Sequence, residues 1–274
     1  MKTINFTKMA GAGNDFLVID AAKGINYKNL AVKACNRTDG IGADGLLILE
    51  KSKRADYKMR IINADGSEAE MCGNGARCMA AYIVDRKRTK KKKFVMETVA
   101  GLIEGEAKGE VATIQLSNPV DYRANIPISI FGRDISVSTI DTGVPHVIIF
   151  VHSINHIDVQ TIGREVRHHQ TFEPRGTNVN FVEQTSDDLV DVRTFERGVE
   201  GETKACGTGS VASAIITYLK ANPSIQSKKN AAMKVRTKSG EVLEVTFDLD
   251  GENISNVRLK GSAKFIARGA YLLH

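Results

Sequence analysis

The sequence predicts an α/β protein built from two homologous halves, and three observations support this fold class. A Cys-Gly-x-Gly motif occurs twice, at 72–75 and at 206–209. Each motif precedes apolar residues at the i, i+3, i+4 spacing of a helix, whereas short apolar or alternating runs typical of strands occur between turn residues elsewhere. Further landmarks recur in the same order around both motifs, which indicates an internal duplication.

The other landmarks of the duplication are short segments rich in Gly and Thr. Three pairs of them correspond: 7–11 with 139–143, 42–44 with 176–178, and 98–101 with 237–240. We place the division near Pro119, so that 1–118 forms the first half and 119–263 the second. The C-terminal run 264–274 is expected to return and pair with the first half.

Local patterns predict the elements in chain order. Residues 2–20 should form two strands around a glycine turn, and that turn is not a dinucleotide-binding fingerprint because a strand-like run, not a helix, follows it. The remaining expected elements are a helix at 27–36, strands at 46–49, 57–62, 94–98 and 113–116 with glycine-bearing turns between the last two, a strand at 147–151, a strand after Gly176, and the two Cys-Gly helices.

The composition is that of an ordinary globular protein. Hydrophobic residues make up 42% of the 274 residues, which is enough for a sizeable core. No apolar run approaches the roughly 18–20 residues that a spanning helix needs, and residues 1–8 lack the apolar core of a signal peptide. We therefore expect a cytoplasmic protein with no membrane partner.

The net charge of +6 comes from one segment. Residues 86–93 (RKRTKKKK) carry seven positive charges, so the rest of the chain has a net charge of −1. Blocks of like charge repel one another and stay solvated, and no aromatic residue is interleaved here to stack on bases. An exposed turn is the favoured interpretation, and a nucleic-acid-binding protein is a remote alternative.

The four cysteines do not form a metal-binding pattern. A zinc site needs four ligands at characteristic spacings, and the adjacent His168 and His169 have no such partners in the sequence. Cys35 and Cys78 lack the glycine-rich setting of the other two and are expected to be core or helix-face residues. The sequence thus favours an intracellular protein without a metal site.

Cys72 and Cys206 each lie immediately before a helix N-terminus. The unpaired N–H groups and the helix dipole there favour a thiolate and can also hold a carboxylate. Two thiols on opposite faces of one carbon suit inversion of a stereocentre, because one removes a proton while the other supplies one. Aligned N–H donors would stabilise the charge that develops on the acid group.

The residues that carry this chemistry resemble those of the diaminopimelate epimerase family. The likeness covers essentially the whole chain, and its most specific segments are 11–16, 63–68, 71–78, 196–198 and 202–209. It implies two pseudo-symmetric halves, each a mixed, mostly antiparallel sheet wrapped around a central helix. It also implies a cofactor-independent enzyme that interconverts LL- and meso-diaminopimelate in lysine and peptidoglycan synthesis, and a homodimer.

The resemblance implies roles at the reacting end of the substrate. Cys72 and Cys206 would be the acid/base pair, and His146 and Glu196 would tune their pKa values. The reacting carboxylate would be held by the two residues after each cysteine, namely Gly73, Asn74, Gly207 and Thr208. The alternative for His146 is a hydrogen-bonded core histidine.

Another group of residues is implied to bind the distal end of the substrate. Asn63, Asn178, Glu196 and Arg197 resemble the positions that contact the distal amino and carboxylate groups, and Asn14 would line the pocket. An Arg can clamp a carboxylate bidentately, and a Glu can accept from an ammonium group. Asn63 and Asn178 could instead be turn residues, and Glu196 and Arg197 could be a surface ion pair.

Two departures from the family pattern and two related activities stay open. Some members have Gln at the position of Gly45 and Asn at that of Val144, so we expect a rearranged pocket with unchanged specificity. Proline or hydroxyproline racemases keep both thiols, but they typically have His at the position of Asn74. Phenazine-biosynthesis isomerases share the fold without the paired cysteines.

Overall fold

A computed structural model of the chain describes residues 2–273. Met1 and His274, which the predicted halves include, lie outside the described residues. The chain divides into two compact units, one formed by the residues up to Gln115 together with those from Lys260 onward, and the other by Leu116–Leu259.

The part of the first unit up to Gln115 contains eight strands and two helices in the described chain. In order they are β1 (Lys2–Gly11), β2 (Asn14–Asp20), α1 (Tyr27–Ala34), β3 (Gly45–Glu50), β4 (Tyr57–Asn63), β5 (Glu68–Ala69), α2 (Gly73–Asp85), β6 (Phe94–Thr98), β7 (Gly101–Lys108) and β8 (Val111–Gln115). The C-terminal strand Lys264–Leu273, β18 below, pairs antiparallel with β1, and the last residues of β17 also belong to this unit.

The sheet of the first unit is mixed. The strand order is β18-β1-β2-β3-β4-β6-β7-β8, with parallel pairs only at β2–β3 and β4–β6. Both parallel pairs need a crossover, and α1 and α2 supply them. Helix α2 contacts β1, β2, β3, β4, β7 and β8, so the sheet surrounds it.

The second unit repeats this arrangement. Its elements are β9 (Val120–Ile130), β10 (Arg133–Asp141), β11 (Pro145–Phe150), α3 (Val159–Arg167), β12 (Asn178–Ser186), β13 (Leu189–Glu196), β14 (Gly201–Thr203), α4 (Gly207–Ala221), β15 (Ser227–Thr237), β16 (Val242–Asp250) and most of β17 (Asn253–Ser262). Two short 3-10 turns, Ile154–His156 and Gln170–Phe172, flank α3.

The second sheet has the same sequence of pairings as the first. Its order is β9-β10-β11-β12-β13-β15-β16, again with two parallel pairs, β11–β12 and β13–β15. Helix α4 contacts β10, β11, β12, β13, β15 and β16. The predicted fold class, two similar α/β halves in which a mostly antiparallel sheet wraps around a central helix, is confirmed.

Enclosure by the sheet explains the composition of the two central helices. All residues from Asn74 to Ile83 of α2 are buried, and so are those from Gly209 to Thr217 of α4. A helix buried on every side must be apolar or small all round, which both segments are. Among the polar exceptions, Arg77 donates to Asn74 and Ser213 donates to the carbonyl of Gly209.

One predicted turn is wrong. Residues 101–108 form strand β7. The sequence pattern predicts only glycine-bearing turns between the strands at 94–98 and 113–116. Gly105 explains the misleading pattern, because a Cβ atom there would lie 3.1 Å from Cε of Met96 and 3.4 Å from Cβ of Ala80 on α2. The glycine therefore lets the strand approach the central helix and does not mark a turn.

The basic run is exposed, as the charge pattern predicts. Residues 86–93 are solvent-exposed except for the half-buried Thr89. Arg88 pairs with Asp20 at 2.7 Å, Lys91 pairs with Asp56, and Lys93 pairs with Glu104 at 2.9 Å. No helix in the described part of the chain is long and apolar enough to cross a membrane.

Replacement of Gly163 by Ala tests how closely α3 packs on β13. A Cβ atom at Gly163 would lie 2.5 Å from Cβ of the buried Phe195, which cannot rotate away. The helix-propensity gain of about 1 kcal/mol is smaller than the overpacking cost. We expect Gly163→Ala to lower the free energy of unfolding by about 1–3 kcal/mol in urea titrations.

The matched control is Glu165→Ala on the exposed side of the same helix. It should change the free energy of unfolding by no more than about 0.5 kcal/mol. Equal stability of Gly163→Ala and the wild type would contradict the packing of α3 on Phe195.

Candidate active site

The first central helix begins at a cysteine. Cys72 is the N-cap of α2, has extended backbone dihedrals, and accepts a hydrogen bond at Sγ from the N–H of Gly75 at 3.4 Å. The N–H of Ala76 donates to the carbonyl of Cys72 at 2.8 Å. The sulfur is thus oriented at the positive end of a buried helix, where the dipole and the N–H donor favour a thiolate.

Helix geometry leaves the next two N–H groups available. In the first turn, the N–H groups of Gly73 and Asn74 have no carbonyl one turn back in the helix. Gly75 and Ala76 already donate to the atoms of Cys72, so Gly73 and Asn74 supply the pair that points out of the helix end. A carboxylate is a suitable acceptor for such a pair.

The side chain of Asn74 is held below this helix end in a chain of amides. Its Nδ2 donates to Oδ1 of Asn14 at 2.8 Å, and its Oδ1 accepts from the guanidinium of the fully buried Arg77 at 2.8 Å. Nδ2 of Asn14 donates in turn to Asp44 at 2.9 Å. A cation at one end and a carboxylate at the other therefore determine the orientation of both amides.

Charged residues surround the outer end of this chain. Arg37 donates to Asp44 at 2.7 Å and to Asp15 at 2.8 Å, and Lys8 lies 3.2 Å from Asp15. Burial alone would raise the pKa of Asp15, but the hydrogen bonds from Arg37 and Lys8 lower it overall. Asp15 consequently stays ionised and supports the rigid placement of Asn14.

Asn63 lies at the end of β4, away from these contacts. Its Nδ2 donates to the hydroxyl of Ser67 at 2.9 Å, within the turn 63–67. It pairs in register with Gly45 on β3, where an added Cβ atom would lie 2.9 Å from the carbonyl oxygen of Ile62. The backbone here leaves no room for a longer side chain at Gly45.

The second central helix begins in the same way. Cys206 is the N-cap of α4, and its Sγ accepts from the N–H of Gly209 at 3.4 Å. The N–H of Ser210 donates to the carbonyl of Cys206 at 2.9 Å, which leaves Gly207 and Thr208 as the outward-pointing pair. The thiol is 8% exposed.

A hydrogen-bonded chain reaches Cys206 from the interior of the second unit. Oγ1 of Thr208 lies 3.4 Å from Sγ of Cys206 and 3.0 Å from Nε2 of His146. Nδ1 of His146 lies 3.0 Å from Nδ2 of Asn180, and Oδ1 of Asn180 accepts from Thr194 at 2.9 Å. His146 is therefore a buried, hydrogen-bonded histidine that contacts the cysteine through one hydroxyl.

His146 is neutral in this setting. Burial lowers the pKa of His146 to about 3, and the positive charge of Arg197 acts in the same direction. A neutral imidazole has one donor and one acceptor nitrogen, so its two neighbours decide which nitrogen carries the proton.

Asn178 and Arg197 are brought together at the start of β12 and just after β13. Oδ1 of Asn178 accepts from the backbone N–H of Arg197 at 2.8 Å, and Nδ2 donates to the carbonyl of Pro145 at 3.2 Å. One guanidinium nitrogen of Arg197 donates to the carbonyl of Arg175 at 2.7 Å. Glu196 is half-buried at the end of β13, and burial raises the pKa of its carboxyl.

The structure thus groups the predicted residues within each unit. In the first, Asn14 and Asn74 join at the helix end that bears Cys72, whereas Asn63 forms its own turn. In the second, Cys206 and Thr208 join His146. Asn178 and Arg197 form a separate hydrogen-bonded pair, and Glu196 precedes Arg197 at the end of β13.

Four residues with a place in these chains were not predicted. Asn180 and Thr194 orient His146, and Arg77 and Asp44 orient the two amides of the first unit. Asn180 follows Asn178 by two residues on one strand, so the period of two places both on the same face and could have indicated it. Among the described residues, no three His, Cys, Asp or Glu side chains cluster as metal ligands.

Comparison with known sequences identifies the family. A family model described as diaminopimelate epimerase matches residues 6–120 and 138–266. The chain belongs to the diaminopimelate epimerase family. A diaminopimelate epimerase from Caldanaerobacter subterraneus subsp. tengcongensis is 39% identical over 97% of this chain and 98% of its own, and one from Chlorobaculum tepidum is 40% identical over 97% and 100%.

Solved structures of other proteins share the fold of this chain. A phenazine biosynthesis protein of the PhzF family from Bacillus anthracis is similar, with a TM-score of 0.75, 17% identity and full coverage of both chains. A hydroxyproline epimerase from Agrobacterium vitis has a TM-score of 0.70 and 14% identity over 98% of this chain and 92% of its own. At such identities the likeness concerns the fold alone.

The two motif glycines Gly75 and Gly209 provide a matched pair of substitutions. A Cβ atom at Gly209 would lie 2.4 Å from Oδ1 of the buried Asn180, whereas one at Gly75 would first meet the flexible end of Leu47 at 3.1 Å. We expect Gly209→Ala to lower the free energy of unfolding by about 1–3 kcal/mol more than Gly75→Ala does, because it disrupts buried hydrogen bonds.

Both substitutions put Ala into the first turn of a buried helix, so the propensity change is shared. Chemical denaturation of both variants and the wild type measures the difference. Equal losses would show that the second motif tolerates a methyl group beside Asn180.

Proposed function

We propose that this protein is a diaminopimelate epimerase that interconverts LL- and meso-diaminopimelate, with Cys72 and Cys206 as its acid/base pair. The observation that carries the proposal is that both units of this family member contain the same arrangement of a helix and a cysteine. Each unit encloses a helix, and each helix begins at a cysteine whose sulfur accepts an N–H from the first turn.

The reaction is a two-base proton transfer. One cysteine, as thiolate, removes the proton from the substrate α-carbon, and the electron pair is delocalised into the neighbouring carboxylate. The other cysteine, as thiol, then gives its proton to the opposite face of the same carbon. The product has the inverted configuration, and the two sulfurs have exchanged protonation states, so atoms and charge balance without a cofactor. The proposal requires both sulfurs to flank one α-carbon.

The main energetic obstacle is charge on the reacting carboxylate. Removal of the α-proton makes this group resemble a dianion. We propose that the outward N–H groups of Gly73, Asn74, Gly207 and Thr208 donate to it. Loss of a comparable donor in known oxyanion holes costs about 2.7–4 kcal/mol. Helix dipoles act in the same direction.

The distal end of the substrate carries the specificity. We propose that Arg197 binds the distal carboxylate, and that Asn63, Asn178 and Glu196 contact the distal groups. Oδ1 of Asn178 accepts a hydrogen bond from the backbone N–H of Arg197 at 2.8 Å. One guanidinium nitrogen of Arg197 donates to the carbonyl of Arg175. The remaining donors of the guanidinium fork suit a carboxylate. Asn14 shapes the pocket wall.

Incubation with LL-diaminopimelate in deuterated water tests the proposal. We expect deuterium at the α-carbon of the meso product, because the donated proton comes from a thiol that exchanges with solvent. Cys72→Ala and Cys206→Ala should each lower turnover by at least about 10²–10⁴-fold, since each removes one acid/base group. Mass spectrometry and chiral separation provide the measurements.

Cys35→Ala is the matched control, because Cys35 is a buried cysteine on α1's C-terminal end with no place in the proposed chemistry. It should retain near wild-type turnover. Turnover of proline or hydroxyproline in place of diaminopimelate, or full activity of either motif-cysteine variant, would contradict the proposal.

We also propose a cytoplasmic homodimer. All four cysteines are in the reduced thiol form, as in reducing compartments. A second copy would cover apolar side chains of β18, where Ile266 is 56% and Leu272 is 44% exposed. The even spacing of Ile266 and Leu272 along β18 places both on the same face of the strand.

Light scattering tests this interface. Ile266→Lys together with Leu272→Lys should convert a dimer to a monomer, because each places a charge in the proposed interface. Phe131→Lys is the control, since Phe131 is 62% exposed in the turn between β9 and β10. A monomeric wild type, or a dimer that the double variant leaves intact, would overturn the assignment.

A further inference from the structure

Asn180 has no role in the proposed chemistry, yet its amide is fully buried beside the site. Its Nδ2 lies 3.0 Å from Nδ1 of His146 and also donates to the carbonyl of Val147 at 3.1 Å. Its Oδ1 accepts from the hydroxyl of Thr194 at 2.9 Å. Asn180 and Thr194 are direct partners in the β12–β13 ladder, so the two strands hold this contact in place.

The orientation of the amide determines the state of His146. The carbonyl of Val147 can only accept, so the amide group that contacts both this carbonyl and His146 must be Nδ2, and an amide NH₂ only donates. Nδ1 of His146 must then be the acceptor, which leaves the proton of the neutral ring on Nε2. Nε2 donates to Oγ1 of Thr208, and the Thr208 hydroxyl donates to Sγ of Cys206.

We infer that Asn180 is a positioning residue that holds His146 as its Nε2–H tautomer, and that it thereby directs the Thr208 hydroxyl proton to Cys206. The sulfur receives this donor in addition to the N–H of Gly209. Hydrogen bonds donated to the charged form favour the thiolate of Cys206. The consequence for catalysis rests on the proposed function, whereas the tautomer and the thiolate can be measured without substrate.

The corresponding positions in the first unit hold two amide side chains. Asn74 takes the place of Thr208, and Asn14 that of His146, and these two side chains contact one another as Thr208 and His146 do. The motif alignment puts Leu46 where the second unit has Asn180. The orienting groups in the first unit are Asp44 and Arg77. Asn74 has no hydroxyl group, so the contact of the Thr208 hydroxyl with Sγ of Cys206 cannot form in the same way at Asn74.

The surroundings keep His146 and its hydrogen-bond partners neutral. His146 is 1% exposed and Thr194 is 3% exposed. The charged group that acts on His146 is the Arg197 guanidinium, whose positive charge disfavours an imidazolium, and the nearby Glu196 carboxyl has its pKa raised by burial. The proton arrangement is therefore set by hydrogen-bond partners.

Nitrogen NMR of histidine-labelled protein tests the tautomer. We expect the wild-type His146 resonances, assigned by their loss in His146→Asn, to show an unprotonated Nδ1 and a protonated Nε2 across neutral pH. Asn180→Asp should move a proton onto Nδ1, because a carboxylate can only accept. Ser213→Ala, which removes another buried hydroxyl of α4, is the control and should leave the resonances unchanged.

Thr208 variants test the last step and do not depend on tolerance of Asn180→Asp. The ultraviolet absorbance of thiolate, taken as the difference from Cys206→Ser, gives the titration of Cys206. Thr208→Val should leave at least about tenfold less thiolate at a given pH, whereas Thr208→Ser, which keeps the hydroxyl, should match the wild type.

The outcomes separate this inference from the proposed function. A wild-type His146 with its proton on Nδ1, an Asn180→Asp protein whose Nδ1 stays unprotonated, or a Thr208→Val protein with unaltered Cys206 titration would overturn the positioning role. Failure of diaminopimelate to react would overturn the proposed function and leave these measurements as they are.

Discussion

The cysteine cap at the start of each buried helix is the interaction on which the rest of the site depends. A helix enclosed by a sheet has its first N–H groups directed at one end, and it cannot satisfy them from its own carbonyls. In both units, one of these groups bonds the cysteine sulfur at 3.4 Å and another bonds the cysteine carbonyl. The sulfur and two further N–H groups are consequently held side by side at the positive end of a dipole.

Duplication gives each half a cysteine cap at the start of a buried helix, and divergence makes the surroundings of the two cysteines different. The first has an amide chain between the buried Arg77 and Asp44, so the Asn74 side chain is fixed away from its own helix end. The second has a neutral histidine and a threonine hydroxyl that reaches the sulfur. A two-base reaction needs unlike protonation states at its two thiols in any one turnover, and unlike surroundings are compatible with that need.

The sequence predicted the fold class because the signals for it are local or periodic. The Cys-Gly-x-Gly repeat and the helical spacing behind it predicted both central helices. Strand β7 was missed because Gly105 serves packing against Ala80 and not a turn, and that distinction depends on a neighbour distant in sequence. Only the fold could pair Asn180 with His146, which lies 34 residues away.

The same limit applies to the role of Gly45. The family resemblance suggests a lost polar contact at this position, whereas the fold shows that the carbonyl of Ile62 occupies the space of a side chain. Similarly, Asn178 reads as a substrate ligand or a turn residue from sequence, and the fold adds that its amide supports the backbone of Arg197. Roles of this kind depend on which polar groups of different strands form hydrogen bonds with one another.

A crystal structure of the protein with diaminopimelate bound would test the central claim most directly. The account predicts Sγ of Cys72 and Sγ of Cys206 on opposite faces of one substrate α-carbon, each at about 3–3.5 Å, the separation of reacting atoms in a near-attack geometry. It also predicts that the adjacent carboxylate lies between the two helix N-termini. Both sulfurs on the same face, or only one sulfur near the carbon, would contradict the account.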